Sequence, residues 1–319
     1  MPEPMFAASV LLLTWNQERF VEEAVRSLLS QDRDDIEIIV SDDASTDETW
    51  DILRRTAAAY AGPKQLRLRR NEANLGIVGN LCAAAGQASS RLLFIAHGDD
   101  VSTPNRCSRC IELHRSLGGW PQLIAGDAFD MAQDGSIKGV KYVDDPAGWT
   151  LGRWADRRPF VLGAAQMITR DLLDMAPLDS GLFCEDQCLS FRAIALGTAV
   201  RIAEPLIKHR RGGLSQVRSR GSWVKRRALL RSAHAALVEI EQLQRDAATI
   251  GCLARVQAAL DEQRRLNTYI KELLDGKMPV LKRLRRCITT RLPWSKRLRF
   301  LVWSFRGRGA PPLAAPAQA

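Results

Sequence analysis

No stretch of the 319 residues reaches the roughly 18 consecutive apolar residues of a membrane-spanning helix, which points to a soluble or peripheral protein. An apolar leader is also missing at the N-terminus, and the seven cysteines lie at irregular spacings that outline no disulfide framework. Together these point to a reducing, cytoplasmic setting. Cys107 and Cys110 have C-x-x-C spacing, but no second pair follows, so packing residues of a helix fit better than a zinc site. Cys184 and Cys188, one helical turn apart, read the same way. Acid is missing from Gly276 onward, where eleven Lys or Arg stand alone; the first 275 residues carry 35 basic and 36 acidic groups. The net charge of +10 therefore belongs to the tail. Missing too is a glycine fingerprint after the first apolar run, where Trp15-Asn16-Gln17-Glu18 stands instead. That argues against a dinucleotide-binding oxidoreductase.

What is present is an alternation of strand and helix signals. The run L-L-F-I-A-H-G-D-D-V-S-T-P, Leu92 to Pro104, stops an apolar strand at two adjacent carboxylates and is expected to open a helix at Pro104. Asp99 and Asp100 thus stand at the C-terminal edge of a strand, where open α/β sheets bind ligands, and neighbouring carboxylates suit Mg²⁺ or Mn²⁺. A helix cap beside a solvated acid is the other reading. Ala7 to Thr14 is a first strand, followed by a helix carrying Phe20, Ala24, Val25, Leu28 and Leu29 at helical spacing. Ile36 to Val40 is a second strand, and Ser45-Thr46-Asp47-Glu48 reads as a capping box for the next helix. Asp42 and Asp43 lie between them, on the same sheet edge as Asp99 if the strands are parallel. There a carboxylate can accept hydrogen bonds from a base or ribose, or serve a turn. A short strand, Gln65 to Arg69, leads into N-E-A-N-L-G-I-V-G-N, and a helix is expected over Leu81 to Ala88.

The ordered set S-V-L-L-L-T-W-N, I-V-S-D-D-A-S-T-D, N-L-G-I-V-G-N and H-G-D-D resembles family 2 glycosyltransferases, which have the nucleotide-diphospho-sugar-dependent GT-A fold. The resemblance spans roughly the first 110 residues. It implies that Thr14 and Asn16, with Glu18 beside them, lie in the loop that touches nucleobase and ribose. Asp43 matches the carboxylate that reads the base, and Asn74 and Gly76 the loop under the nucleotide. Asp99 is implied toward the ribose and Asp100 toward a metal, Mg or Mn, that bridges the diphosphate. His97 replaces the first acid of the commoner D-x-D-D form.

Farther on, Leu123 to Ala128 reads as a strand and Asp134-Gly135 as a hairpin turn. Trp149 and Trp154 could stack on a sugar or pack in the core. In D-S-G-L-F-C-E-D-Q-C-L-S-F-R, a helix begins near Glu185, so both acids occupy its first turn, where the helix dipole favours negative charge. By resemblance this is the E-D motif, with Asp186 as catalytic base and Glu185 as its support. Val200 to Ile207 reads as a last strand. The following Lys208-His209-Arg210-Arg211-Gly212-Gly213 resembles a basic flap over the diphosphate, with His209, Arg210 and Arg211 as its cations.

From Ser222 to about Leu274 helix formers dominate, with Leu229, Leu230, Ala233, Leu237, Ile240 and Leu243 in one stripe. Such helices could pack on the chain itself or form an oligomer. Beyond them, Trp294, Leu298, Leu301, Val302 and Phe305 fall on one helical face with Lys296, Arg297 and Arg299 elsewhere. That suits an anionic membrane surface or docking on the chain's own body; nucleic acid would leave the apolar face unused. The final ten residues read as a disordered end.

The expected architecture is an α/β GT-A core, a Rossmann-like, mostly parallel sheet flanked by helices, over residues 5–215. A helical extension over 222–275 and a basic tail over 276–319 follow. The expected activity is metal-dependent, inverting hexosyl transfer from a nucleotide-diphosphate sugar, UDP or dTDP favoured, to a glycan or lipid-linked acceptor of the cell envelope. A catalytically silent scaffold of the same fold is the alternative, and it rests on His97.

Overall fold

A computed structural model describes residues 6–212, 222–275 and 278–305, in two compact units, residues 1–216 and 217–319. The first is built on a nine-stranded sheet. Its elements are β1 (Ala8–Thr14), α1 (Val21–Leu29), β2 (Ile36–Asp42), α2 (Thr49–Ala58), β3 (Gln65–Arg70), α3 (Gly76–Ala85) and β4 (Leu92–His97). Then come β5 (Val101–Ser102), α4 (Arg106–Ser116), β6 (Leu123–Met131), β7 (Ile137–Lys141), α5 (Leu151–Asp156), β8 (Gln166–Thr169), α6 (Arg170–Asp174), α7 (Asp186–Leu196) and β9 (Ala199–Arg210).

Strand order is β3-β2-β1-β4-β8-β6-β9-β5, with β7 hairpinned onto β6. β1, β2, β3, β4, β6 and β9 run one way and β5, β7 and β8 the other, so the sheet is mixed but mostly parallel. Every residue of β1 and β2 is buried, because helices cover both faces of a parallel sheet. Alternate residues Val10, Leu12, Ile38 and Val40 share a core with Val25 and Leu28 of α1 and with Cys107 and Cys110 of α4. That core position gives the C-x-x-C pair a packing role. Trp154 is also core, tilted against Phe191 with ring centroids 4.7 Å apart, and Trp149 is buried, so neither offers a face to a sugar.

Four local expectations are corrected. Ser45 does not cap α2: its hydroxyl donates to buried Asp42, 2.5 Å away, while Asp47 Oδ1 accepts from Thr49 N at 3.0 Å. The helix expected at Pro104 starts two residues later, as α4 at Arg106 with Asn105 as its N-cap, and a short strand, β5, comes before it, with Thr103 strapped to Leu206 O by both its N–H and its hydroxyl. α3 starts at Gly76, five residues early, where Asn74 Oδ1 accepts from Gly76 N (3.0 Å) and Gly76 takes φ +73°. β9 continues to Arg210, so Lys208, His209 and Arg210 belong to a strand rather than a flap.

In the second unit α8 (Ser222–Ile250) and α9 (Leu253–Leu274) are joined through Gly251, whose φ of +81° closes the first helix. α10 (Val280–Thr289) and α11 (Trp294–Phe305) share a core with them through Cys287, Leu292, Phe300 and Leu301 packed on Leu230, Ala233 and Leu273. No described helix is long and apolar enough to cross a membrane. Gly213 and the expected disordered end lie outside the described residues.

Candidate active site

The site forms where β1, β2 and β4 end. Gly98 N donates to Leu13 O at 3.0 Å, which pins the turn after β4 to β1. A Cβ at Gly98 would run into the Gln17 side-chain oxygen and sit 3.1 Å from Thr14 Cβ, so the glycine permits this close approach. Asp100 is buried, and its Oδ1 accepts from Arg210 N at 2.8 Å. Burial, reinforced by Asp99, pushes its pKa up to about 8; burial also raises Asp99. Arg106 lies fully buried nearby, donating to Ile95 O (2.7 Å) and Ser102 Oγ (3.1 Å). Burial and that guanidinium hold His97 down at about 4, so it is neutral, and its Nε2 is buried without a hydrogen-bond partner.

On the nucleotide side the residues implied by the motifs converge, but several are engaged with one another. Asn16 takes φ +50°; its N–H donates to Ser45 Oγ (2.9 Å) and its Oδ1 accepts from Thr46 N (2.8 Å). Glu18 Oε2 accepts from Glu48 N at 3.1 Å. These contacts lace the loop after β1 to the loop after β2. Thr14 is buried against Asp42, which Arg70 neutralises at 3.1 Å. Asp43 Oδ1 accepts from Asn71 Nδ2 (2.7 Å) and Leu75 N (2.8 Å), so it anchors the Asn74-Gly76 loop.

β9 crosses the Asp99-Asp100 turn. Arg210 was expected to face the diphosphate, but its guanidinium donates to Asp99 O (2.9 Å), Gln133 O (3.1 Å) and Glu23 (2.5 Å) and lies over the Phe20 ring. It is a strut that fixes the acid turn. Arg211 is ion-paired with Asp130 on the surface. His209 Nδ1 lies 2.8 Å from Lys141 Nζ, and Lys141 also pairs with Asp130 at 3.0 Å. Burial, then Lys141, lowers the His209 pKa to about 4. An ammonium donating to Nδ1 leaves the imidazole proton on Nε2. Nothing in the sequence signalled Lys141, which reaches the site only through the β6–β7 hairpin.

The second acid pair opens α7. Glu185 is fully buried, Oε2 has no hydrogen-bond partner, and burial with the neighbouring Asp186 pushes its pKa up to about 7. Asp186 is partly exposed; its Oδ1 accepts from Gln187 N (2.7 Å) and Cys184 Sγ (3.1 Å), and burial raises its pKa. One short turn, Gly163–Ala165, packs on the second pair: a Cβ at Gly163 would lie 2.9 Å from Glu185 Oε1 and 3.4 Å from Asp186 Cβ. Its Ala164 also borders a narrow buried gap lined by His97 and Asp100. Gly76 joins the same neighbourhood, close to Ser180 O.

Among the described residues no cluster of three or more His, Cys, Asp or Glu is arranged to hold a metal. The donor set nonetheless fits a cation completed by a ligand. Asp100 is buried and Asp99 half-buried, burial raises the pKa of both, and Mg²⁺ typically takes one or two carboxylates plus substrate phosphates.

Residues 9–118 match the family model described as glycosyl transferase family 2. Over that span the chain is similar to glycosyl transferase family 2. EpsE of Bacillus subtilis, provisionally named a glycosyltransferase, is 34% identical over 162 residues, covering 50% of this chain and 55% of that one. An uncharacterised glycosyltransferase of Nostoc is 25% identical over 221 residues, covering 67% of each chain. WfaP of Escherichia coli, named a UDP-Glc:α-D-GlcNAc-diphosphoundecaprenol β-1,3-glucosyltransferase, is 34% identical over 94 residues, 30% of this chain and 32% of its own. The match to EpsE thus spans about half of that relative's length.

The glycosyltransferase fold is shared with residues 1–349 of TarS from S. aureus, at TM-score 0.58 and 16% identity over 92% of this chain and 88% of that one. It is shared as well with the mannosyltransferase PcManGT of Pyrobaculum calidifontis, solved with GDP-Man and Mn²⁺, at TM-score 0.56 and 16% identity over 95% and 88% of the two chains. The architecture is GT-A.

Proposed function

We propose that the protein is an inverting hexosyltransferase of cell-envelope polysaccharide or glycolipid synthesis. It would move a sugar from a nucleotide-diphosphate donor, UDP or dTDP favoured, to an acceptor hydroxyl. The observation that carries this is one short turn, Gly163–Ala165, which packs on the Glu185-Asp186 pair and borders the buried gap lined by His97 and Asp100, beside the sheet edge where α/β folds bind ligands. Supporting the donor class, TarS has been solved with UDP and with UDP-GlcNAc, PcManGT binds GDP-Man, and WfaP is named for UDP-Glc.

In this reading Asp43 and the loops around Thr14, Asn16, Glu18, Asn74 and Gly76 bind the base and ribose, with Asp99 toward the ribose. Asp100 holds a Mg²⁺ or Mn²⁺ ion, which when bound neutralises diphosphate charge and improves the leaving group. His209, kept neutral by burial and by Lys141, offers its Nε2 proton to a phosphate oxygen. Asp186 accepts the proton of the acceptor hydroxyl as that oxygen bonds to the anomeric carbon and the diphosphate departs from the opposite face. One displacement inverts the configuration. Its raised pKa makes Asp186 a stronger base than a solvated aspartate, and buried Glu185 contributes to the low-dielectric setting. Exposed Tyr142, Phe160 and Phe183 supply the aromatic faces for an acceptor sugar that Trp149 and Trp154 do not.

The test is incubation with UDP-, dTDP- and GDP-hexoses, with and without Mn²⁺, beside lipid-linked saccharide acceptors. NMR would read the anomeric configuration of the product. Transfer with inversion is expected. Retained configuration, or no nucleotide released from any donor, would overturn the reading.

A further inference from the structure

Among the described residues of the second unit, α10 and α11 turn large apolar side chains to solvent on two consecutive helices. Leu281 is 82% exposed and Ile288 66%, with Leu284 between them on the same α10 face. On α11, Trp294 (57%), Leu298 (51%) and Val302 repeat at four-residue spacing. Leu301, which the sequence placed on that face, turns inward with Phe300 to the unit's core. The exposed stripes are therefore what remains after each helix has buried its packing side.

These helices are held in place. Arg283 is buried and donates to Met278 O (2.8 Å) and Ser304 O (2.9 Å), which ties α10 to α11. Arg286 pairs with Glu272 of α9 at 2.6 Å, and Tyr269 Oη donates to Arg297 O at 3.0 Å. Three of the basic residues in residues 278–305 are thus engaged within the unit. The other five, Lys282, Arg285, Arg291, Lys296 and Arg299, are exposed, and the segment contains no acid.

We propose that α10 and α11 form a docking face for a membrane surface rich in anionic lipid headgroups. The apolar stripes would enter the headgroup and acyl boundary while the exposed cations meet lipid phosphates. A second copy would bring an acid-free basic rim against itself, and nucleic acid would leave the apolar stripes uncovered; a lipid surface satisfies both. This inference is independent of the transfer reaction.

The test is flotation of the full chain with phosphatidylcholine vesicles, with and without phosphatidylglycerol. Two variants accompany it: Leu281→Glu/Ile288→Glu/Leu298→Glu, and Lys282→Gln/Arg285→Gln/Arg299→Gln. Circular dichroism and light scattering serve as controls. The wild-type chain is expected to float only with anionic vesicles. The apolar variant should lose this binding with its helix content intact, and the charge variant should bind about a hundredfold more weakly. Equal binding to neutral vesicles, unchanged binding by either variant, self-association abolished by the apolar variant, or capture of duplex DNA in place of vesicles would each overturn the proposal.

Discussion

The two acid pairs, Asp99-Asp100 and Glu185-Asp186, each set one buried acid beside a half-buried one, yet their surroundings differ. Around the first pair lie Arg210, whose guanidinium and backbone hold the turn, buried Arg106, and His209 backed by Lys141. That pair is fixed in place, and in the proposed reading it receives a cation arriving with a nucleotide. The second pair has the N-terminus of α7, a thiol and a glycine whose missing side chain makes room for Glu185. There the environment strengthens a base instead. In the proposed reading, pairs of like charge become a charge receptor in one frame and a proton acceptor in the other.

The sharpest break of this comparison is Asp186→Asn. It should lower the transfer rate by about a thousandfold while nucleotide affinity stays unchanged, since proton removal and donor binding belong to different pairs. Steady-state turnover beside calorimetry reads both. Asp100→Ala should do the reverse, weakening nucleotide binding about a hundredfold and abolishing its response to Mn²⁺. Gly163→Ala puts a Cβ 2.9 Å from Glu185 Oε1, and that buried carboxylate has little room to yield. A loss of about 2 kcal/mol in urea unfolding is expected.

Glu185→Gln should have the smallest effect, and it depends on pH. In the fold the Glu185 carboxyl is held at about 7, above its ordinary 4.5, so the folded state binds the extra proton between those values. Stability therefore falls as pH rises through that window. Replacing the acid removes the loss, so the variant should gain on the order of 1–2 kcal/mol over the wild-type chain at pH 8 and little at pH 4.5. Thermal unfolding at the two pH values measures it. An equal shift at both would mean that packing rather than charge governs this pair.

Strands β1, β2 and β4 and the place of Asp99-Asp100 at a strand end were legible because burial on both sheet faces leaves continuous apolar runs that end at the ligand edge, whereas Glu185-Asp186 was singled out by resemblance alone. The start of α3 was not, since it depends on an Asn74 side-chain bond and a left-handed Gly76 rather than on periodicity. Lys208-His209-Arg210 read as a loop because the strand's polar residues find partners 110 positions away, as Arg210 does on Asp100. Gly163 and Lys141 carry no local signal at all. Their roles come from which elements the sheet brings together, and no spacing rule reports that.

The central claim is that Asp99 and Asp100 form a donor site completed by a metal. Isothermal titration with UDP, dTDP and GDP, with and without Mn²⁺, beside Asp100→Ala, tests it most directly. The account predicts that one nucleotide binds, that Mn²⁺ strengthens the binding, and that Asp100→Ala weakens it about a hundredfold and removes the response to Mn²⁺. Absence of binding by every nucleotide, or binding indifferent to both the metal and Asp100, would contradict it.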